Sequence, residues 1–377
     1  MLRGALGAAA LAAGAGKAHA QGIAAGAAGW TGSAHGLVPM RLSPDQLIDI
    51  KACIRPLRAA GPNLGTERVG DALVIHNYGH GGSGWSLSWG SAEVAVGKAL
   101  SVLPERIAVV GCGIIGLTSA VMAQRAGLGV TIYAKEQFLR TRSMRASGSF
   151  TPGSRIALAG PAGPHFGDLW EHMARFSWQM FRTMLGLPGA PVAFGDSYAV
   201  SNEPITRRVW EADPAITDTF ETIGLPRQNS EFARLDSRIR DIVPQSSPLA
   251  PEENPFGTPH ATRTSQMFFN FPAYANLLMD EFFSRGGRFV MRNFHHPREL
   301  GTLREKVVIH ATGYAARDFW RDDTLIPVRG QTGWLVPQPG VNYALRTRNM
   351  SVLSKADGLV VMNNNPDLGD MLGVGDS

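Results

Sequence analysis

Residues 107–116 read IAVVGCGIIG, and residues 74–90 read VIHNYGHGGSGWSLSWG. The first stretch decides the fold. Ile107 to Val110 form a short unbroken apolar run, the pattern of a parallel strand covered on both faces. Gly111, Gly113 and Gly116 follow as G-x-G-x-x-G. The first permits a tight turn, the second lets backbone approach a diphosphate, and the third lets the next helix close on the strand. That helix is expected from Ile114 to Ala126, apolar through Leu117, Ala120 and Val121, with Gly127 as its stop. Its start, with Cys112, Ile114 and Ile115 beside the glycines, offers unpaired N–H groups and a positive dipole end to an anion. Val130 to Tyr133 complete a βαβ unit, and in that context the glycines read as a dinucleotide site rather than a structural turn. The acid usual at the end of the second strand is replaced by Ala134, which leaves Glu136 as ribose partner with Lys135 as a rival.

The earlier stretch places four glycines within six positions (Gly79, Gly81, Gly82, Gly84), so main chain can approach a flat ligand without Cβ clashes. Leu73 to Ile75 read as the strand before it and Trp85 to Leu100 as the helix after it. His76 and His80 stand four apart, but the glycines argue against a regular helix and no third ligand is near, so no metal site is expected.

His76 to Gly90 closely resembles the signature of the D-amino-acid oxidase family of flavoproteins. The resemblance implies an FAD cofactor, contacted here by Gly81, Gly82, Gly84, Trp85 and Ser86. It extends from about Cys53 onward, by ordered motifs. Arg55 in IRPLR (54–58) matches the family's substrate arginine, which implies a clamp on a substrate carboxylate. TRSMRASGSFTP (141–152) resembles the loop that holds the FAD diphosphate and ribityl chain, which points to Arg142, Ser143, Gly148 and Ser149. The family's adenine contact falls near Phe294, and VVIHATG (307–313) resembles the late strand whose turn, at Thr312, passes beside the cofactor. Val328-Arg329-Gly330-Gln331 resembles the entry of the substrate sheet.

The implied fold class is α/β, a Rossmann-like FAD-binding domain with a second domain built on a mixed or antiparallel sheet. Residues 106–190 and 264–325 are assigned to the first and 191–263 and 326–377 to the second, with 21–105 carrying the arginine strand and the glycine-rich segment. In the family that segment lies near the chain's end. Here it precedes the βαβ unit across a linker at residues 97–106, which a circular permutation explains, since neighbouring termini tolerate it. The implied activity is oxidation of a D-amino acid or related amine by hydride transfer to the flavin. The products are an imino acid, then a 2-oxo acid and ammonia, with hydrogen peroxide from oxygen. Two other readings stay open: a dehydrogenase of another amine or hydroxy acid with a non-oxygen acceptor, and an inactive flavin-binding protein. The departure that keeps them open is residues 349–359 (NMSVLSKADGL), where the family carries pocket tyrosines and this chain has none; Tyr343 lies earlier.

The rest of the chain bounds the reading. A net charge of +5, in part from Arg3 and Lys17, is too mild and scattered for nucleic acid. Residues 1–20 resemble a cleaved leader, with Ala18-His19-Ala20 as a small-x-small site; export to the periplasm or outside is expected, or a cytoplasmic location if the leader does not function. The stretch is too short and glycine-rich for a membrane span. Cys53 and Cys112 read as buried small residues. The aromatic and Met stripe of residues 168–185 reads as core, and residues 236–263 as a proline-rich excursion that serves as lid, subunit contact (a homodimer) or plain surface. Residues 369–377 read as turn and partial strand rather than a finished end, so truncation or a shortened segment is expected.

Overall fold

A computed structural model describes residues 36–205 and 231–363. The leader-like stretch and residues 369–377 lie outside it. Two sheets organise the described residues. The six-stranded sheet uses β2 (Thr66–Val69), β3 (Ala72–His76), β4 (Arg106–Val110), β5 (Gly129–Ala134), β9 (Arg288–Met291) and β10 (Val307–His310), in the order β2-β3-β10-β4-β5-β9. Every neighbouring pair is parallel except β2 with β3. The eight-stranded sheet uses β1 (Leu47–Arg58), β6 (Val192–Ser201), β7 (Ser247–Pro248), β8 (His260–Phe269), β11 (Leu325–Leu335), β12 (Tyr343–Arg346), β13 (Met350–Lys355) and β14 (Gly358–Asn363). It is antiparallel but for the β12–β6 pair, hence mixed. One continuous apolar core runs from Ile107, Val109 and Ile132 of the first sheet to Trp334, Leu353 and Val360 of the second.

Among the described residues four long helices pack around these sheets: α1 (Gly84–Leu100), α2 (Ile114–Arg125), α3 (Phe166–Arg182) and α4 (Phe271–Ser284). The first is buried over most of its surface because α2 and α3 both cover it. At Gly90 the α1–α3 crossing is so close that a Cβ would stand 2.2 Å from the carbonyl oxygen of Met173. The third helix is amphipathic and turns Trp170, Met173, Trp178 and Phe181 inward, the core role its stripe suggests. Its outer face carries ion pairs such as Arg175 with Asp241.

Three boundaries differ from expectation. The helix α1 ends at Leu100 as expected, so it is the linker assigned from residue 97 that starts too early: Gly97 meets nothing within 4 Å and costs the helix only propensity. Residues 236–263 are not wholly irregular, because β7 and the start of β8 fall there and pair with one another. All of β8 belongs to the larger sheet, so the domain boundary placed after residue 263 cuts a strand whose partner is β6. Among the described residues no helix is long and apolar enough to cross a membrane.

Candidate active site

Both glycine-rich helix starts open into one cavity of about 1140 Å³, larger than the ~300–1,000 Å³ of ordinary small-ligand pockets. Gly84 and Trp85 reach it from α1, and Gly113, Ile114 and Ile115 from α2. Gly111 takes φ +107°, and a Cβ there would lie 2.4 Å from the carbonyl oxygen of Ala311, so the turn is closed against the Ala-Thr-Gly loop. Gly116 serves the packing its place in the motif requires. Its missing Cβ would lie 2.1 Å from the oxygen of Gly111, and it does not line the cavity.

Ser143 ties the two helix starts together. Its hydroxyl accepts from the Ile114 N–H at 2.9 Å, and its carbonyl accepts from the Trp85 indole at 2.8 Å. The Trp85 ring itself stacks on Phe271, with centroids 4.4 Å apart. Cys112, Arg142, Ser149 and Thr312 line the same space, as do Lys135 and Glu136 just past β5. Burial pushes the Cys112 thiol up to about 12, so it stays a neutral packing group. At the far end Phe294 lines the wall with the Arg292 guanidinium 4.5 Å over its ring.

The glycines after β3 have a role that ligand approach alone does not explain. A Cβ on Gly81 would lie 1.8 Å from the carbonyl oxygen of Arg155, and one on Gly82 would lie 2.8 Å from that of Ser154. They admit the chain's own loop at residues 151–155, while both residues still border the cavity. Ser83 donates to Ser154 O at 2.8 Å, and Ser86 accepts from the Thr151 N–H at 2.7 Å. Ser86 is therefore a loop anchor and lies off the cavity wall, against expectation. Gly148 also lies off it: its φ is +89°, and a Cβ would meet the Lys355 ammonium at 2.8 Å. Beneath, His80 bonds Ser91 at 2.7 Å, Ser91 bonds Asn77, and Asn77 donates to Ser119 at 3.1 Å, fastening the strand end to α1 and α2. His76 faces other partners.

Arg55 lines the cavity from β1. Its guanidinium donates to the carbonyl of Arg329 at 3.2 Å and lies over Gly330, in the strand paired with its own. Arg155 lines the same cavity; burial first, and then the charge of Arg55, pull its guanidinium down to about 9. Sequence reading does not reveal Arg155, an arginine in a loop with φ +50°; the signal for it was Gly81, whose absent Cβ leaves its carbonyl room. Tyr343 is turned away from the cavity: it is buried against Tyr198 and Phe256, and its hydroxyl donates to Val38 O at 3.1 Å. Ser197, Gln266, Arg346 and Ser351 stand on the larger sheet's side of the cavity instead.

Residues 106–371 match the family described as FAD dependent oxidoreductase (DAO). The chain belongs to this family. Its cofactor is FAD, and the cavity's donors suit it: helix-start amides with Arg142 and Ser143 for a diphosphate, and glycine backbone for a flat ring. Among curated relatives, the chain is 26% identical over 231 residues to a D-amino-acid oxidase of Rubrobacter xylanophilus, covering 60% of this chain and 58% of that protein. It is 48% identical over 52 residues to a D-aspartate oxidase of Cryptococcus neoformans, 13% of each. The matches thus span less than two thirds of either relative. Among solved structures, glycine oxidase from Geobacillus kaustophilus aligns with TM-score 0.45 at 14% identity, over 72% of each chain. L-amino acid deaminase from Proteus vulgaris aligns with TM-score 0.44 at 14% identity, over 69% of this chain and 61% of that one.

Proposed function

We propose that this flavoenzyme oxidises a carboxylate-bearing amine, a D-amino acid or close analogue, to an imino acid that water converts to a 2-oxo acid and ammonia, with oxygen reduced to hydrogen peroxide. The observation that carries the reading is Arg55, a half-buried guanidinium in the same cavity as both glycine-rich helix starts. Bound FAD supplies the two-electron acceptor, taking the α-hydrogen as hydride. The chain's own residues bind and orient. Arg55 offers two parallel N–H donors to the carboxylate, and Arg329 O and Gly330 fix its plane. A substrate amine bound neutral then needs no side-chain base at the α-carbon. The start of α1 presents its positive end to charge that builds in the cavity.

In the same reading Arg142, Ser143 and the start of α2 hold the diphosphate, Lys135 and Glu136 compete for the ribose, and Phe294 borders the adenine. We also read the order of motifs as a circular permutation. Supporting it, residues 106–371 carry the family match in one run, while β1 and β3, from the segment before it, pair with β11 and β10 inside it. The test is purified protein loaded with FAD and mixed anaerobically with D- and L-amino acids. Loss of the oxidised-flavin absorption band with D-isomers is expected, followed by peroxide on admitting air. Bleaching by L-isomers alone, or by hydroxy acids alone, overturns the substrate assignment.

A further inference from the structure

Four polar side chains cross the smaller sheet in single file. His76 ends β3 and His310 ends β10, and the two are register partners in neighbouring parallel strands. Their Nδ1 atoms stand 3.1 Å apart. His310 Nε2 lies 2.7 Å from the Thr312 hydroxyl, and Thr312 lines the large cavity. On the other side His76 Nε2 lies 3.4 Å from Glu67 Oε2. Glu67 and His76 line a second, separate pocket, and the Glu67 side chain is 51% exposed there. The rings are held: His310 stacks on Trp320, centroids 4.9 Å apart, and Trp320 donates to Glu67 at 3.1 Å. Tyr78 stands beside the file but outside it, since its hydroxyl donates to Asp322 at 2.7 Å and accepts from Asn63 at 3.0 Å.

We propose that Thr312, His310, His76 and Glu67 form a proton path between the cofactor cavity and the outer pocket. Burial holds both histidines below their ordinary range, His310 well below it, despite the carboxylates of Glu67 and Asp322 near His76. Two neutral imidazoles meeting through Nδ1 need one N–H between them, so their tautomers are opposite. The carboxylate of Glu67 sets the polarity. His76 keeps Nε2–H toward Glu67, its bare Nδ1 accepts from His310 Nδ1–H, and the bare Nε2 of His310 accepts from the Thr312 hydroxyl. In this arrangement every hop outward is ready. A proton from the cavity bonds to Thr312 Oγ1, and the hydroxyl proton moves to His310 Nε2. The His310 Nδ1 proton moves to His76 Nδ1, and the His76 Nε2 proton moves to Glu67, which releases it to water. Each new O–H or N–H bond replaces one broken, and no electrons move.

The path's polarity is then reversed, and packed rings cannot flip to restore it. The next proton must travel inward. That alternation matches the chemistry proposed above, on which this use of the path rests. A substrate arriving as an ammonium gives up one proton to be bound neutral and one hydride on becoming an iminium, and oxygen joined to that hydride takes up one proton to become hydrogen peroxide. One proton leaves and one returns in each turnover.

The resting tautomers are read by imidazole nitrogen-15 NMR of the FAD-loaded protein, assigned with His76→Gln and His310→Gln. His310 carrying Nδ1–H and His76 carrying Nε2–H is the expected result; like tautomers, or an imidazolium at either site, overturn the path. Proton movement is read in weak buffer with a pH indicator during anaerobic mixing with a bleaching substrate. In Glu67→Gln, whose amide accepts the hydrogen bond but not the proton, FAD content should persist while proton release slows about tenfold or more, and Glu67→Asp should recover part of it. Thr312→Val should slow proton release likewise from the cavity end, when compared at equal FAD loading. Unchanged release in both variants overturns the proposal. If no amine bleaches the flavin, the functional reading fails by itself and the tautomers still decide the path.

Discussion

The guanidinium of Arg55 occupies the space that a side chain on Gly330 would fill: a Cβ there would lie 2.6 Å from Nη2, 2.7 Å from Cζ and 3.0 Å from Nη1. The two residues sit two positions apart in register on paired antiparallel strands, Arg55 facing Val328 and Cys53 facing Gly330. The arginine's plane is therefore set by the absence of a neighbour's methyl group. Gly330→Ala should displace the guanidinium while leaving the cofactor end untouched. The expected outcome is normal FAD content, a KM for carboxylate substrates raised about tenfold to a hundredfold, and a smaller change in kcat. Arg55→Leu should lose more, since no guanidinium remains. An unchanged KM in both variants would remove the clamp.

Gly81 gives a second prediction, in which loop packing and cofactor binding fail together. The Arg155 carbonyl fills the place of its side chain, and its φ of +54° already disfavours other residues. Gly81→Ala should cost about 1–3 kcal/mol of stability and release FAD, because residues 151–155 must move. Gly113→Ala is the contrast: its Cβ would meet only the Ser143 hydroxyl, at 3.1 Å. That variant should hold its melting temperature and weaken FAD alone. Thermal melts of the apoprotein beside FAD titrations separate the two.

The contrast shows what the sequence makes legible. A strand, a glycine turn and a helix declare themselves because each is local: the apolar run of Ile107 to Val110, the turn at Gly111 and the helix from Ile114 lie where the pattern puts them. So does Arg55, whose neighbours along the chain mark its strand. Arg155 and the anchoring role of Ser86 are not legible, because both depend on a contact with a segment some 65 or more residues away in sequence. The short strand β7 escapes for the same reason. Its two residues, one of them Pro248, carry no strand signal, and only pairing with β8 makes them one. The fold follows from patterns inside segments, whereas the lining of the substrate end follows from which loops meet.

Arg55 and Arg155, cavity-lining cations close enough for one to depress the other, predict something of the substrate. Arg155 is held to about 9 by burial and by the charge of Arg55 beside it, so an anion between them is favoured by both. Amino acids with a second carboxylate should show a lower KM than neutral analogues of equal length. Arg155→Leu should raise the KM of the dicarboxylates about tenfold more than that of the neutral acids. Equal effects on both classes would leave Arg155 as a packing residue.

His80 sets how the protein meets acid. It is buried and bonded to Ser91, and burial pushes its imidazole down to about 3 from an ordinary 6.5. In the unfolded chain the ring gains a proton as pH falls through 6.5, but in the folded chain it stays neutral until about 3. Between those values the unfolded state binds more protons, so stability that is complete above pH 6.5 drains away as the solution is acidified toward pH 3. Each pH unit in that window costs about 1.4 kcal/mol, which puts the loss at about 3 kcal/mol by pH 4 from this one residue. His80→Asn removes the titrating ring and keeps a group able to bond Ser91. Its stability at pH 7 should be lower than that of the parent, and its decline between pH 7 and pH 4, measured by urea unfolding, should be shallower by about 3 kcal/mol. Parallel declines would mean that the ring is protonated in the folded state and that water reaches it at the base of α1.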